Sequence, residues 1–163
     1  MKFDIILAGV GGQGVLSVSS IIASSAMKEG LAVKQSEVHG MSQRGGEVQA
    51  NLRISDAAIA SDLIPRGSAA LVLSMEPLES LRYLDFLSGD GTVITATNPL
   101  INIADYPPIG EVLATIGRLP RAILIDAEQL ARQAGSARAT NMVMVGAASH
   151  LLPVGLDTIE HFV

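Results

Sequence analysis

The chain contains no cysteine and no tryptophan, and its aromatic residues are limited to two Tyr and three Phe. Without cysteine there are no disulfides, no thiolate zinc sites, no iron–sulfur ligands and no cysteine nucleophile. The three histidines, His39, His150 and His161, stand far apart in sequence, which predicts no metal site. Scarce aromatics argue against the stacking that single-stranded nucleic-acid binders use. The formal net charge is −5 and Lys and Arg form no block, so the basic footprint of a nucleic-acid partner is also missing. No apolar run reaches the roughly 20 residues of a membrane span. The opening MKFDIILAGVGG does not read as a signal peptide, because its apolar run is short and leads into a glycine turn. These absences point to a cytoplasmic protein with neither a membrane nor a nucleic-acid partner.

What is present is a core-forming composition. Of 163 residues, 48% are hydrophobic and 17% charged. That balance fits one folded domain over residues 1–163. Its core must be built from Val, Ile, Leu, Ala and Met. Phe3–Ala8 is a short apolar run that predicts a buried strand. Residues 15–30 predict a helix with Val18, Ile21, Ile22 and Ala26 on one face, stopped by Gly30. A second strand is predicted over 31–36. Residues 48–54 alternate apolar and polar and predict a strand with a wetter face, folding back on Ala57–Ala60 as an antiparallel hairpin. Strands at 69–74, 92–96 and 122–126 then alternate with helices at 78–87, 110–118 and 127–134. Thr140 or Asn141 is expected to cap a last helix, 142–152, ended by Pro153. Alternation of this kind predicts a three-layer, Rossmann-like α/β fold with a mostly parallel sheet and that one hairpin.

Two glycine loops carry the chemical interest. Residues 9–14, GVGGQG, place Gly9, Gly11 and Gly14 in the G-x-G-x-x-G spacing between a strand and a helix, with Gly12 and Gln13 between them. Such a turn offers bare amides at a helix N-terminus and favours an anion. A dinucleotide site asks for an acid about 20 residues on, and Glu37 stands near that place. The competing reading is a packing turn that lets helix and sheet approach closely. No lysine follows the glycines, so this is no Walker loop, and GMSQRGG at 40–46 also fails that pattern.

The second loop, SEVHGMSQRGG at 36–46, combines Glu37, His39, Gln43 and Arg44 with Gly40, Met41, Gly45 and Gly46. It is expected at the carboxyl edge of the sheet beside the first turn, where open α/β sheets bind ligands. Arg44 offers a fork of donors for a carboxylate or phosphate, and His39 a donor or acid–base group. The plainer alternative is a solvated turn with Arg44 paired to Glu37 or Glu47. Weaker signals have structural readings. Gly89-Asp90-Gly91 resembles the start of a thiamine diphosphate motif but lacks the asparagine expected some 25–30 residues on, so a plain turn is predicted. Met27, Met142 and Met144 are expected in the core. Gly146-Ala147-Ala148 is expected to form a narrow helix face against the sheet. His150 should end a helix, and Asp126 is either a ligand-edge acid or a helix cap.

GVGGQGV at 9–15, SEVHGMSQRGGEVQANLRIS at 36–55 and TNMVMVGAA at 140–148 resemble the gamma-type domain of the 2-oxoacid:ferredoxin oxidoreductases, above all the branch acting on indolepyruvate. The resemblance implies a subunit of a multisubunit enzyme that oxidatively decarboxylates a 2-oxoacid. Coenzyme A would accept the acyl group near this chain, and ferredoxin the electrons by way of the complex. Thiamine diphosphate, Mg and the iron–sulfur clusters would sit on an alpha-type partner subunit. No residue of this chain would be catalytic. Gly9, Gly11, Gly12, Gln13 and Gly14, with Glu37, His39, Gly40, Met41, Gln43, Arg44, Gly45 and Gly46, would form the docking and ligand surface. The isolated chain could self-associate, and family members are expected to continue past residue 163 with a further helix and tail. A free-standing dinucleotide enzyme and a purely structural assembly module remain alternatives.

Overall fold

The computed structural model describes residues 1–40 and 45–163. Six strands form one sheet in the order β2-β3-β1-β4-β5-β6. They are β1 (Lys2–Val10), β2 (Ala32–His39), β3 (Glu47–Ser55), β4 (Ala69–Ser74), β5 (Leu87–Ala96) and β6 (Ala122–Ile125). β1, β4, β5 and β6 pair in parallel, and β3 lies antiparallel between β1 and β2. The helices are α1 (Val15–Lys28), α2 (Pro77–Arg82), α3 (Ile109–Gly117), α4 (Ala127–Gln133), α5 (Thr140–Ser149) and α6 (Leu156–Glu160).

β1 is the spine because its residues are apolar on both faces. Ile5 and Leu7 face α1 and α5 in one core with Val18, Ile22, Met144 and Val145. Ile6 and Ala8 point the other way, into a second core with Val72, Tyr83 and Val93. A strand turns successive side chains to opposite faces, so two helical layers can each claim half of β1. Each fully buried Ile or Leu contributes roughly 1.5–3 kcal/mol against exposure.

Several expectations are corrected. The hairpin exists, but it joins β2 to β3, and β3 also pairs with β1. Residues 57–60 form no strand. The chain just beyond them is held by a buried ion pair: Arg53 Nε donates to Asp4 Oδ1 at 2.9 Å, and Arg53 Nη1 donates to the carbonyls of Ser61 and Leu63 at 3.0 and 2.8 Å. The helix predicted over 78–87 is shorter, since α2 ends at Arg82 and a 3-10 turn, Leu84–Phe86, leads into β5. Gly89-Asp90-Gly91 lies within β5, where the register against β4 shifts from Ala69↔Leu87 to Leu71↔Thr92, and is not a turn between helix and strand. Neither Thr140 nor Asn141 caps α5. The N-cap is Ala139, and both residues lie in the first turn. That helix ends at Ser149 with His150 as its C-cap, ahead of the predicted Leu152. Met144 is buried as expected, but Met27 is 63% exposed and Gly146 faces outward. No sequence pattern announces α6, which packs against α1.

Candidate functional site

The chain leaves β1 for α1 on one face of the sheet and leaves β4 for α2 on the other. That divergence opens a crevice beyond the carboxyl ends of the two strands, the place where open α/β sheets take ligands. A cleft of about 390 Å³ occupies it. Its walls are the first glycine turn, Met75 after β4, Leu100 after β5, and Thr140 and Asn141 at the start of α5.

The turn is shaped by its own side chains. Gln13 folds inward, where its Oε1 accepts the Val10 N–H at 2.8 Å and its Nε2 donates to the Met75 carbonyl at 3.4 Å. At Gly9 a Cβ would lie 2.7 Å from Val15 Cγ2, so this glycine serves packing. Gly14, the N-cap of α1, has φ 78°, and a Cβ there would fall 2.1 Å from Asn141 Nδ2. The starts of α1 and α5 are thus pressed together at Gly14 and Asn141. Neither helix has a side-chain cap, and both leave first-turn amides at the cleft. Arg138 adds a basic residue to the lining, and the acidic Glu128 there is paired with Arg132 at 3.0 Å. The start of α4 differs. The Asp126 carboxylate accepts the Gln129 N–H at 3.0 Å, and Asn98 Oδ1 accepts the Glu128 N–H at 3.3 Å. The hydrogen bond from the Gln129 backbone, and then the one from the Asn98 side chain, hold the Asp126 carboxyl below its ordinary range. Asp126 is therefore a cap and not a ligand-edge acid.

The two glycine loops touch. Gly11 donates its N–H to the Gly46 carbonyl at 2.7 Å, and Gly45 donates its N–H to the Gly11 carbonyl at 3.3 Å. Asn102, from the segment after β5, donates to the Gly45 carbonyl at 2.8 Å. Of the residues singled out from sequence, Gly12, Gln13 and Gly14 line the main cleft. His39 lines a second, more apolar cavity of about 380 Å³ with Val10, Leu16 and Val48. Glu37 sits on the outer strand, with β3 between it and β1, and accepts from Gln35 Nε2 at 3.1 Å. A dinucleotide acid belongs on a strand adjacent to the first, so the insertion of β3 moves Glu37 one strand too far. Among the described residues, nothing lies within 4 Å of a Cβ built at Gly40. Met41, Gln43 and Arg44 lie outside the described residues.

Sequence reasoning missed Glu76, which is 1% exposed. Its Oε2 accepts the Glu79 N–H at 2.9 Å and caps α2, and its Oε1 accepts the Tyr106 hydroxyl and the Leu100 N–H. Burial, and then this hydrogen bond, push the Tyr106 phenol above its usual range. The available signal was an acid directly before Pro77, a pairing that marks a capped helix start. Asn98, Asn102, Arg138 and Asn141 also carried no motif.

The iron–sulfur clusters implied for the partner do not suit this chain's donors. Gly89–Gly91 stands at the start of β5, on the edge of the sheet opposite the cleft. Among the described residues no three His, Asp or Glu side chains gather as a metal site. A chain without cysteine lacks the thiolates that hold iron–sulfur clusters. The first turn and the start of α5 do suit an anionic group.

Comparison with known proteins agrees with this architecture. The chain is 40% identical to the indolepyruvate oxidoreductase subunit IorB of Archaeoglobus fulgidus, over 98% of this chain and 83% of that one. Identity to the IorB subunit of Methanothermobacter thermautotrophicus is also 40%, over 91% of this chain and 79% of that one. The crystal structure of the pyruvate oxidoreductase subunit PORC of Thermotoga maritima superposes with a TM-score of 0.73 at 24% identity, covering 98% of this chain and 82% of that one, a likeness of fold. Residues 4–163 match the family model described as pyruvate ferredoxin/flavodoxin oxidoreductase, and the chain belongs to that family.

Proposed function

We propose that the chain is the gamma-type subunit of a 2-oxoacid:ferredoxin oxidoreductase, with indolepyruvate as the leading substrate, acting in the cytoplasm. It packs on an alpha-type subunit that holds thiamine diphosphate, Mg and the iron–sulfur clusters, and ferredoxin takes electrons from the assembled complex. Thiamine diphosphate on that partner supplies the carbanion chemistry of decarboxylation. This chain shapes the entrance. The amides of Gly12 and Gly14 and the first turn of α5 receive an anionic group, and coenzyme A is the anionic co-substrate of such a complex. Gly9, Gly11 and Gln13 hold the turn that presents those amides. The loop from Glu37 through His39, Gly40, Met41, Gln43 and Arg44 to Gly45 and Gly46 faces the partner.

The observation that carries this reading is the backbone stitching of Gly11 to Gly45 and Gly46 beside the cleft. That link fixes the second loop against the first glycine turn. Exposed Val38, Ile101 and Ile103 stand on the same edge of the sheet, which favours a covered surface there. The test is an omission assay. Partner alone, chain alone and the mixture are given indolepyruvate, coenzyme A and a viologen acceptor. Turnover by the mixture only is expected, and turnover by the chain alone would refute the reading.

A further inference from the structure

Residues 97–108 run from the end of β5 to the start of α3 without helix or strand. They are nevertheless tied at both ends and in the middle. Thr97 donates its N–H to the Ile125 carbonyl at 2.9 Å, and Asn98 engages Asp126 and the Glu128 amide. Leu100 N–H and Tyr106 OH both donate to Glu76 Oε1. Between those two, Asn102 donates to the Gly45 carbonyl. The segment is a strap. Its first half, Asn98 to Leu100, forms one wall of the cleft.

Glu76 is an unusual residue to bury. A carboxylate taken out of water is costly unless donors replace the lost hydration. Here the donors come from two places, the first turn of α2 and the strap. Capping α2 alone would occupy only Oε2, whereas Oε1 is given wholly to the strap.

We propose that Glu76 and Tyr106 are positioning residues that set the strap as one wall of the cleft, with Asn102 fastening the middle of that wall to the Gly45 carbonyl of the second glycine loop. The inference rests on the reading above that this cleft receives part of coenzyme A.

The test has two arms. In the full complex, steady-state kinetics are measured with coenzyme A as the varied substrate. In the full chain alone, amide hydrogen exchange is followed over residues 97–108. Tyr106→Phe removes one hydrogen bond to a charged acceptor, so KM for coenzyme A is expected to rise about tenfold while kcat stays within about twofold. Exchange in the strap should quicken by about tenfold, with the core strands unaffected. Glu76→Gln keeps one acceptor oxygen for the strap while its NH2 group loses the Glu79 N–H, so KM should stay within about threefold of wild type with some loss of stability, whereas Glu76→Ala should raise KM about tenfold. Unchanged exchange in Tyr106→Phe would overturn the tether. Faster exchange with KM unmoved, or a fall in kcat alone, would overturn the role of the strap at the cleft. If the wild-type complex turns over without needing coenzyme A, the functional reading fails, and the exchange arm still decides whether Glu76 holds the strap.

Discussion

Gly14→Ala probes the point where α1 and α5 meet. Two costs are separable. The first is conformational. Gly14 has φ 78°, and an L-residue in this left-handed region costs about 1–2 kcal/mol. The second is steric. The new methyl would sit 2.1 Å from Asn141 Nδ2 and 3.2 Å from Asn141 Cγ, so the amide must swing away or α5 must shift. Overpacking of this sort costs about 1–3 kcal/mol. The single variant should therefore lose about 2–5 kcal/mol in equilibrium urea unfolding followed by circular dichroism, with the denaturant slope unchanged. In an Asn141→Ala background the steric part disappears, and Gly14→Ala should cost only about 1–2 kcal/mol. Gly12→Ala is the control, because Gly12 has φ 101° and, among the described residues, no atom lies within 4 Å of its would-be Cβ. It should show the conformational cost alone, in both backgrounds. Gly14→Ala costing the same with and without Asn141, or no more than Gly12→Ala, would refute the close apposition of the two helix starts.

Three further outcomes follow from other parts of the molecule. Arg53→Ala leaves the Asp4 carboxylate buried with Lys2, at 3.0 Å, as its one charged partner among the described residues. That change should cost about 3–5 kcal/mol in the same unfolding assay. Gly91→Ala would place a methyl 2.8 Å from the Ala69 carbonyl oxygen and 2.6 Å from Leu87 Cδ1. A loss of about 1–3 kcal/mol is expected, with the proposed coenzyme A binding untouched because the cleft is at the other edge. Burial, with Glu47 and Glu79 adding to it, pushes the Tyr83 phenol up to about 12 from 10.0. The neutral phenol is thus favoured in the fold. Its contribution is complete below about pH 10 and is lost as pH climbs toward about 12. Alkaline unfolding should steepen across that window and flatten in Tyr83→Phe. A phenol absorbance titration with its midpoint near the ordinary value of 10.0 in the folded chain would contradict this.

The layers of the fold were legible because they rest on length and periodicity. AALVLS at 69–74 is too short for a helix and apolar on both faces, and it forms β4 over those same residues. The place of β3 was not legible. Its alternation predicts a wetter face, yet Asn51, Arg53 and Ser55 on that face are buried, and it says nothing of which strands pair with it. That choice follows from where Arg53 and Asp4 meet, a contact between residues 49 apart. Capping residues also misled at α5. Ser136 to Ala139 already form a hydrogen-bonded turn, with the Ala139 N–H on the Ser136 carbonyl at 3.0 Å, and this turn carries the chain into the helix. Thr140 and Asn141 then fall inside it, which frees Asn141 to pack on Gly14. The glycine turn was readable from spacing. Gln13 as its internal brace, and Glu76 as the anchor of the strap, depend on contacts across 62 and 30 residues that no local pattern records.

In the proposed function the carboxyl edge, where the two glycine loops are stitched together, is the surface that meets the partner. Following the backbone amides of the 15N-labelled full chain as the unlabelled proposed partner subunit is added tests this. Shifts or broadening at Gly11, Gly12, Gly14, Gly45, Gly46 and Asn102 are expected first. Changes confined to the opposite edge, around Gly89 and Gly91, would contradict the account.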